Sequence, residues 1–590
     1  MIWKQILDPY SNHFISVIIA LLSILFIFWA LIIKKMKGYL SSLIATVIAL
    51  IVAIAFYKMP VTFAFASVAH GALYGLFPIC WIFFAAIFLF NITVKSGQFE
   101  IIKHCIASIT PDRRIQAVLI AFSFGSFLEG TAGFGAPVAI TAAMLVELGF
   151  EPLYAAGLCL LANTAPVAFG SIGIPITVAS QVSDIPEFAI AKIVGRTLPI
   201  LSFFIPAYLT ILLAGFKKAK EIFPAIFVVG FSFAFLQYVT SNFLGATLPD
   251  IIAGIGSIIS LSFFLKFWKP KTVWRFDSEK PSANYSHNKY TGAQIMRAIS
   301  PFIFLTLIII TWGLDPVKEL LNKTGYTEFK IPLLNDSIMN SNGKLIPQVF
   351  KLNYFSAAGT AIFISALISI PIVGIKFSEG IKILLNTFKQ LKFPIITVAA
   401  ILGFAYLMNN SGITLTISKT LTGTGKWFPL FAPLLGWLGV FITGSDTSSN
   451  ALFGKVQSVT ANGIGIDPVV TVGANISGGV VGKMISPQSI AVAAAAGNLV
   501  GKESDLFRFT VKHSFIMLAL ISCIVFIQAY FLKTLIPVYN STNIKTIPVA
   551  DNHSSGYIYL SILAFILISF SIVFLIIRRK KNDKLSEPRF

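Results

Sequence analysis

In this chain of 590 residues, 56% of side chains are hydrophobic and only 12% are charged. Soluble domains carry about 25% charged residues, so this one cannot cover a water-facing surface. The formal charge of +21 does not mark a nucleic-acid surface. Its Lys and Arg residues sit in short clusters between apolar runs, at 34–37, 113–114, 217–220, 266–297, 376–392, 502–512 and 578–581, the cytoplasmic bias of a multispan membrane protein.

Runs of about 20 apolar residues each make one membrane helix, and the cleanest lie at 14–33, 38–57, 77–94, 355–375 and 557–577. They do not alternate as barrel strands would, and helices satisfy their own backbone in lipid. The first run lacks a small-residue cleavage site and reads as a retained helix. With the basic clusters as cytoplasmic markers, the N-terminus lies outside, 34–37 inside, 57–60 outside and 95–114 inside. The stretch 61–94 suits one span plus a half-helix. Segments at 115–128, 132–149, 153–180, 190–214, 222–241 and 248–267 lead to a basic loop.

That loop divides the chain into an N-terminal transmembrane half (1–265), a basic cytoplasmic linker (266–297), a C-terminal transmembrane half (298–537) and an extra helix with a basic tail (538–590). The second half holds a span at 298–313, an external loop at 314–354, spans at 355–375 and 393–409 around an inside cluster at 376–392, four glycine-interrupted segments in 430–500, and a span at 511–537. The expected fold is an all-α polytopic membrane protein with about 14 transmembrane or re-entrant helices. Its four cysteines match no metal-ligand spacing, and no metal or cofactor is expected.

Two segments break the pattern. Residues 123–137, Ser-Phe-Gly-Ser-Phe-Leu-Glu-Gly-Thr-Ala-Gly-Phe-Gly-Ala-Pro, surround Glu129 with four glycines and a proline; residues 444–454, Gly-Ser-Asp-Thr-Ser-Ser-Asn-Ala-Leu-Phe-Gly, carry Asp446. A carboxylate near the bilayer centre costs about 2.5–3.5 kcal/mol on insertion scales and faces a cavity, a partner or an ion. Small residues alone would equally serve tight helix packing; an acid and a polar run in each break favour a site. Downstream, Asn163, Gly170, Pro175 and Ala179 recur as Asn475, Gly482, Pro487 and Ala491, at offsets 0, 7, 12 and 16. The first broken segment follows an inside loop and the second an outside one, the opposition expected of an inverted repeat with broken helices at the midplane.

The stretches 125–141, 162–170, 444–453 and 482–491, together with 501–513, Pro-Asp-Ile-Ile at 249–252 and Asp-Pro at 8–9, resemble the bacterial L-lactate permease family. The likeness runs to about residue 537; the final span is a departure. The resemblance implies import of L-lactate, and often D-lactate or glycolate, by proton symport across the bacterial inner membrane; the basic cluster 578–581, not the resemblance, places the C-terminal tail on the cytoplasmic side. The implied partners are a 2-hydroxy monocarboxylate, a proton and the lipid bilayer.

An anion imported against an inside-negative potential needs an accompanying cation, so Glu129 and Asp446 are the proton-coupling candidates. For the substrate, the candidates are the backbone at Gly133, with its free N–H groups beside a helix end, and the side chains of Thr131, Ser445, Thr447, Ser448 and Asn450. Asn163 and Asn475 could meet the 2-hydroxyl or cap half-helices. Lys483 could take the carboxylate, pair with an acid or snorkel, with Ser486 and Gln488 beside it. His70 reads as structural and Arg196 as an interfacial anchor. Val481-Gly-Lys-Met lacks the leading Gly and the Ser or Thr of a P-loop, and no His-Glu-x-x-His is present, so an ATP-driven pump and a metalloprotease are disfavoured. A sodium-coupled carrier and an anion channel stay open.

Overall fold

The computed structural model of the chain describes residues 2–133, 135–276, 290–340 and 343–539. The expected last span at 557–577, the basic tail and residues 277–289 of the linker lie outside the described residues. Eleven described helices are long and apolar enough to cross a membrane, or up to twelve if a pair bent by 63°, Pro152–Ala162 with Val167–Ser183, is one span. The protein is an all-α polytopic membrane protein.

Phenylalanine at helical spacing makes lipid-facing surface. On the helix Phe223–Phe243, the rings of Phe223, Phe227, Phe231 and Phe235 stack in one exposed file with centroids 5.7 to 6.3 Å apart. Small residues face inward: Gly71 approaches the carbonyl of Leu402, and Gly230 that of Phe203, more closely than any Cβ permits.

Several boundaries differ from the sequence reading. The inside cluster 376–392 is no loop: Phe377–Ser411 is one 35-residue helix, about 52 Å long at 1.5 Å per residue and far longer than a bilayer core. Lysine is a good helix former, so the helix continues through the basic cluster. By contrast Glu187–Glu221 does break at Gly215, where φ is +80°, directly after the expected span 190–214. The awkward stretch near 61–94 is one element, Val61–Lys95, interrupted where Phe77 leaves helical geometry before Pro78. Within the external loop, Thr327–Lys330 pairs antiparallel with Val349–Leu352, and Ile338–Met339 pairs parallel with Trp3–Lys4, tying the N-terminus to it.

The chain reverses at both acid-bearing segments, forming two helical hairpins. In the first, Gly125–Thr131 is the limb before the turn and Ala136–Glu147 the limb after it. The second runs from Phe428–Thr443 through Gly444 and Ser445 into Asp446–Gly463. Bonds between limbs hold it closed: Ser449 Oγ donates to the Gly436 carbonyl at 3.0 Å, and Gln457 Nε2 to that of Ala432 at 2.8 Å.

Each hairpin is followed by a broken segment. Pro152–Ala162 and Gly170–Ser183 form the first; Pro468–Lys483 and Pro487–Ala496 form the second. Packing crosses between them: Ala136–Glu147 lies on Pro487–Ala496, and Asp446–Gly463 lies on Gly170–Ser183. The base of the first hairpin is fixed by Arg114, fully buried. Its guanidinium donates to Asp112 at 2.7 Å, to Glu221 at 2.8 Å and to the carbonyls of Lys218 and Thr272. Truncating one side of such a buried pair costs about 3–5 kcal/mol.

Candidate functional site

The turns of the two hairpins and the breaks of the two following segments meet around a cavity of about 70 Å³. By this measure a water needs about 10–15 Å³, so the cavity holds about five waters, or a small organic acid. Its charged lining is Glu129, Asp446 and Lys483; the rest includes Gly135, Gly170, Ser171, Gly444, Ser445, Thr447, Gln488 and Ser489.

Local sequence dictates this shape. Gly444 turns the second hairpin at φ +73°, and the Ser445 hydroxyl then caps the next helix by accepting from the Ser448 N–H at 3.3 Å, as serine does at an N-cap. In the first broken segment Ser171, Ile172 and Gly173 are left-handed, with φ of 48°, 59° and 79°. For a β-branched residue such as Ile172 this conformation is an outlier of the kind held at functional sites. It frees backbone groups that a continuous helix would consume.

Two glycines admit the acids. A Cβ at Gly170 would stand 2.8 Å from Glu129 Oε1, and one at Gly479 would stand 2.1 Å from Asp446 Oδ1. Lys483 Nζ donates to Glu129 Oε1 at 2.6 Å, with the side chains only 12% and 3% exposed. This reaches from the second broken segment to the first hairpin. Glu129 Oε2 is buried without a hydrogen-bond partner, and so are both oxygens of Asp446. The electrostatic neighbours of Asp446 are Lys483, the Asn450 amide and Glu129.

Of the sequence candidates, Glu129, Asp446, Ser445, Thr447, Lys483 and Gln488 line the cavity. The others stand behind it. Thr131 bonds its own helix at Phe127 and Leu128, and Gly133 sits against the Ser171 hydroxyl. Ser448 contributes its capped N–H, and Ser486 caps Pro487–Ala496 through Ser489. Asn475 donates to Asn450 Oδ1 at 2.8 Å, and Asn450 donates across to the Pro175 carbonyl at 3.1 Å. Asn163 is buried with its Nδ2 unpartnered. Arg196 holds Asn242 and the Leu535 carbonyl at 2.8 and 2.7 Å, and His70 meets Gln348 Oε1 at 3.0 Å, away from the cavity.

Sequence reasoning missed Asp250 as a site group. Its carboxyl is 1% exposed, both oxygens lack partners, and it lies against Gly130, next to Glu129; Glu129 and Lys483 are its electrostatic neighbours. The signal was an acid directly after a proline inside a family motif, without a glycine-rich break to draw attention. Ser171 was missed too, although at offset 8 from Asn163 it matches Lys483 at offset 8 from Asn475.

A family model described as L-lactate permease matches residues 16–532. The chain belongs to the L-lactate permease family. It is 52% identical to an L-lactate permease of Bacillus subtilis (strain 168), over 91% of this chain and all of that one. An L-lactate permease of Escherichia coli (strain K12) is 49% identical over 91% of this chain and all of its own length. The glycolate permease GlcA of the same strain is 48% identical over 90% of this chain and 98% of that one. With many membrane-length helices, this family membership points to a membrane transporter rather than an enzyme.

Proposed function

We propose that this protein imports L-lactate, and short 2-hydroxy monocarboxylates such as glycolate, with one proton across the bacterial inner membrane. The observation that carries the reading is the Lys483–Glu129 pair in the wall of the central cavity. A substrate carboxylate is chemically equivalent to the Glu129 side chain and competes with it for the Lys483 ammonium. Glu129, displaced in a water-poor site, is then an uncompensated charge and takes a proton, because leaving it ionised costs several kcal/mol.

Charge balance supports a ratio of one proton to one anion. One lysine faces Glu129, Asp446 and, behind the wall, Asp250. The empty site is neutral when Lys483 balances Glu129 and both aspartates are protonated. The loaded site is neutral when Lys483 balances substrate and all three acids are protonated. One anion therefore brings one proton, and neither form meets the membrane potential, which opposes a net charge by about 2.3 kcal/mol per 100 mV. Backbone N–H groups freed at the hairpin turns and the left-handed turn, with Ser171, Ser445 and Thr447, surround the remainder of the acid. The 2-hydroxyl explains why lactate and glycolate fit one site.

The crosswise packing of the hairpins and broken segments supports a two-unit inverted repeat for alternating access. The Lys and Arg distribution supports a cytoplasmic C-terminal tail. The test is L-lactate uptake by proteoliposomes in sodium-free buffer, with and without a protonophore. The expected result is concentrative uptake that the protonophore abolishes, and Glu129→Gln protein that exchanges lactate but no longer accumulates it. Sodium-dependent uptake, or undiminished lactate-driven proton uptake in Glu129→Gln protein, would overturn the coupling.

A further inference from the structure

A second, larger cavity of about 390 Å³ opens along the same helices that close the central one. Its walls come from Gly170–Ser183 and its C-terminal turn, from Asp446–Gly463, and from the segment around Gln348. From Asp446 to Lys455 the helix rises about 13 Å, so this cavity stands little more than two helical turns beyond the central site. Its lining includes residues 346–349 of the loop at 314–354, which the Lys and Arg distribution makes external.

Between the two cavities runs a closed seam. Asn450 Nδ2 donates to the Pro175 carbonyl at 3.1 Å, and a Cβ at Gly454 would meet Val182 at 2.7 Å. At the seam's outer end Lys455 bonds Asp184, which sits in the left-handed conformation, φ 61°, just past the end of its helix. The two partners differ in setting: the Lys455 side chain is 25% exposed and that of Asp184 70%. Lys455 and Asp184 are the charged residues of this lining; the others, such as Gln348, Asn409 and Asn410, are polar or apolar.

We propose that Lys455 is an outer binding site for the carboxylate of the transported acid, closed in this structure by Asp184. This rests on the transport reading given above. An exposed acid holds its lysine only weakly, because water and salt screen the pair. An incoming carboxylate offers Lys455 the same charge and the same oxygens, and it is free to move on. Displacing Asp184 releases the outer end of the seam between the two helices. The anion then meets Lys483, where it displaces Glu129 by the same exchange. Two lysine–acid pairs in series, an exposed one outside and a buried one at the centre, make a graded path for a monocarboxylate.

The test separates a binding site from a simple latch. L-lactate transport is measured in right-side-out and inside-out vesicles carrying Asp184→Asn or Lys455→Gln protein. Both substitutions break the ion pair, so a latch shifts both variants in the same direction. A binding site shifts them oppositely: Asp184→Asn lowers the outer-face KM about threefold and Lys455→Gln raises it about tenfold. In both, the KM measured from the inner face stays at the unaltered value, which also reports that the protein is folded. Shifts in the same direction, equal shifts on both faces, or no shift would overturn the outer site. A lack of L-lactate transport by the unaltered protein would instead overturn the transport reading, and this site with it.

Discussion

The two hairpins solve one problem, an acid at a broken helix end, in two ways. In the first, Glu129 lies on the limb before the turn, rests on Gly170 and is held by Lys483 at 2.6 Å. In the second, Asp446 is the first residue after the turn, rests on Gly479 and has no hydrogen-bond partner. The matched position at offset 8 in the two broken segments makes the difference. It is Ser171 in one, whose hydroxyl donates to the Ala132 carbonyl at 3.4 Å, and Lys483 in the other, which reaches across to the opposite hairpin. Among the described residues Lys483 is the only cation of the cavity lining, and under the proposed exchange the acid paired with it is the one that gives way to substrate.

Removing that cation is the most damaging test of the comparison. Lys483→Gln is expected to lower L-lactate counterflow by at least about 100-fold, because a buried charged hydrogen bond is worth several kcal/mol when one partner is truncated. Glu129 can accept a proton, so the protein is expected to fold. Counterflow within a few-fold of the unaltered rate would end the exchange mechanism.

Asp446→Asn and Asp250→Asn test whether the unpaired acids differ from the paired one. Both already sit without hydrogen-bond partners, so an amide adds polar demand without removing a contact. The expectation is counterflow reduced about tenfold or less, with proton-driven accumulation kept, whereas Glu129→Gln loses accumulation. If Asp250→Asn uncouples and Glu129→Gln does not, the proton resides on Asp250.

The glycines beneath the acids rank next. A Cβ at Gly479 would come within 2.1 Å of Asp446 Oδ1 and 2.8 Å of Val440, whereas at Gly170 its tightest contact is 2.8 Å, to Glu129 Oε1. Overpacking costs about 1–3 kcal/mol, so Gly479→Ala is expected to lose more uptake than Gly170→Ala. The reverse order would mean that Glu129, not Asp446, is the acid whose position is rigidly set.

Much of this site was legible in the sequence because glycine, proline and acids inside apolar runs have few other uses in a membrane. The segments around Glu129 and Asp446, and the matched offsets downstream of Asn163 and Asn475, could be read before any coordinates. The reversal of the chain at each acid could not, because a hairpin and a broken span leave the same glycine-rich gap. Nor could the helical length of Phe377–Ser411, since lysine marks the membrane edge but does not end a helix. Asp250 escaped for a related reason: it starts an ordinary helix, and only tertiary packing against Gly130 brings it beside Glu129.

The matched asparagines give the finest test. Asn475 is bonded on both sides: it donates to Asn450 Oδ1 at 2.8 Å and accepts from Gln457 Nε2 at 3.2 Å. Asn163 has a buried Nδ2 without a partner. Asn475→Ala strands those partners, at about 1–3 kcal/mol, while Asn163→Ala removes a donor already unmet and costs about 1 kcal/mol or less. Thermal unfolding of the purified protein in detergent should thus give a lower Tm for Asn475→Ala than for Asn163→Ala. Lactate should raise the Tm of the unaltered protein, as any ligand of the folded state does. If Asn163→Ala keeps its Tm but loses that ligand-induced rise, its amide is a substrate contact, and the two asparagines, alike in sequence, divide between holding the fold and holding the acid.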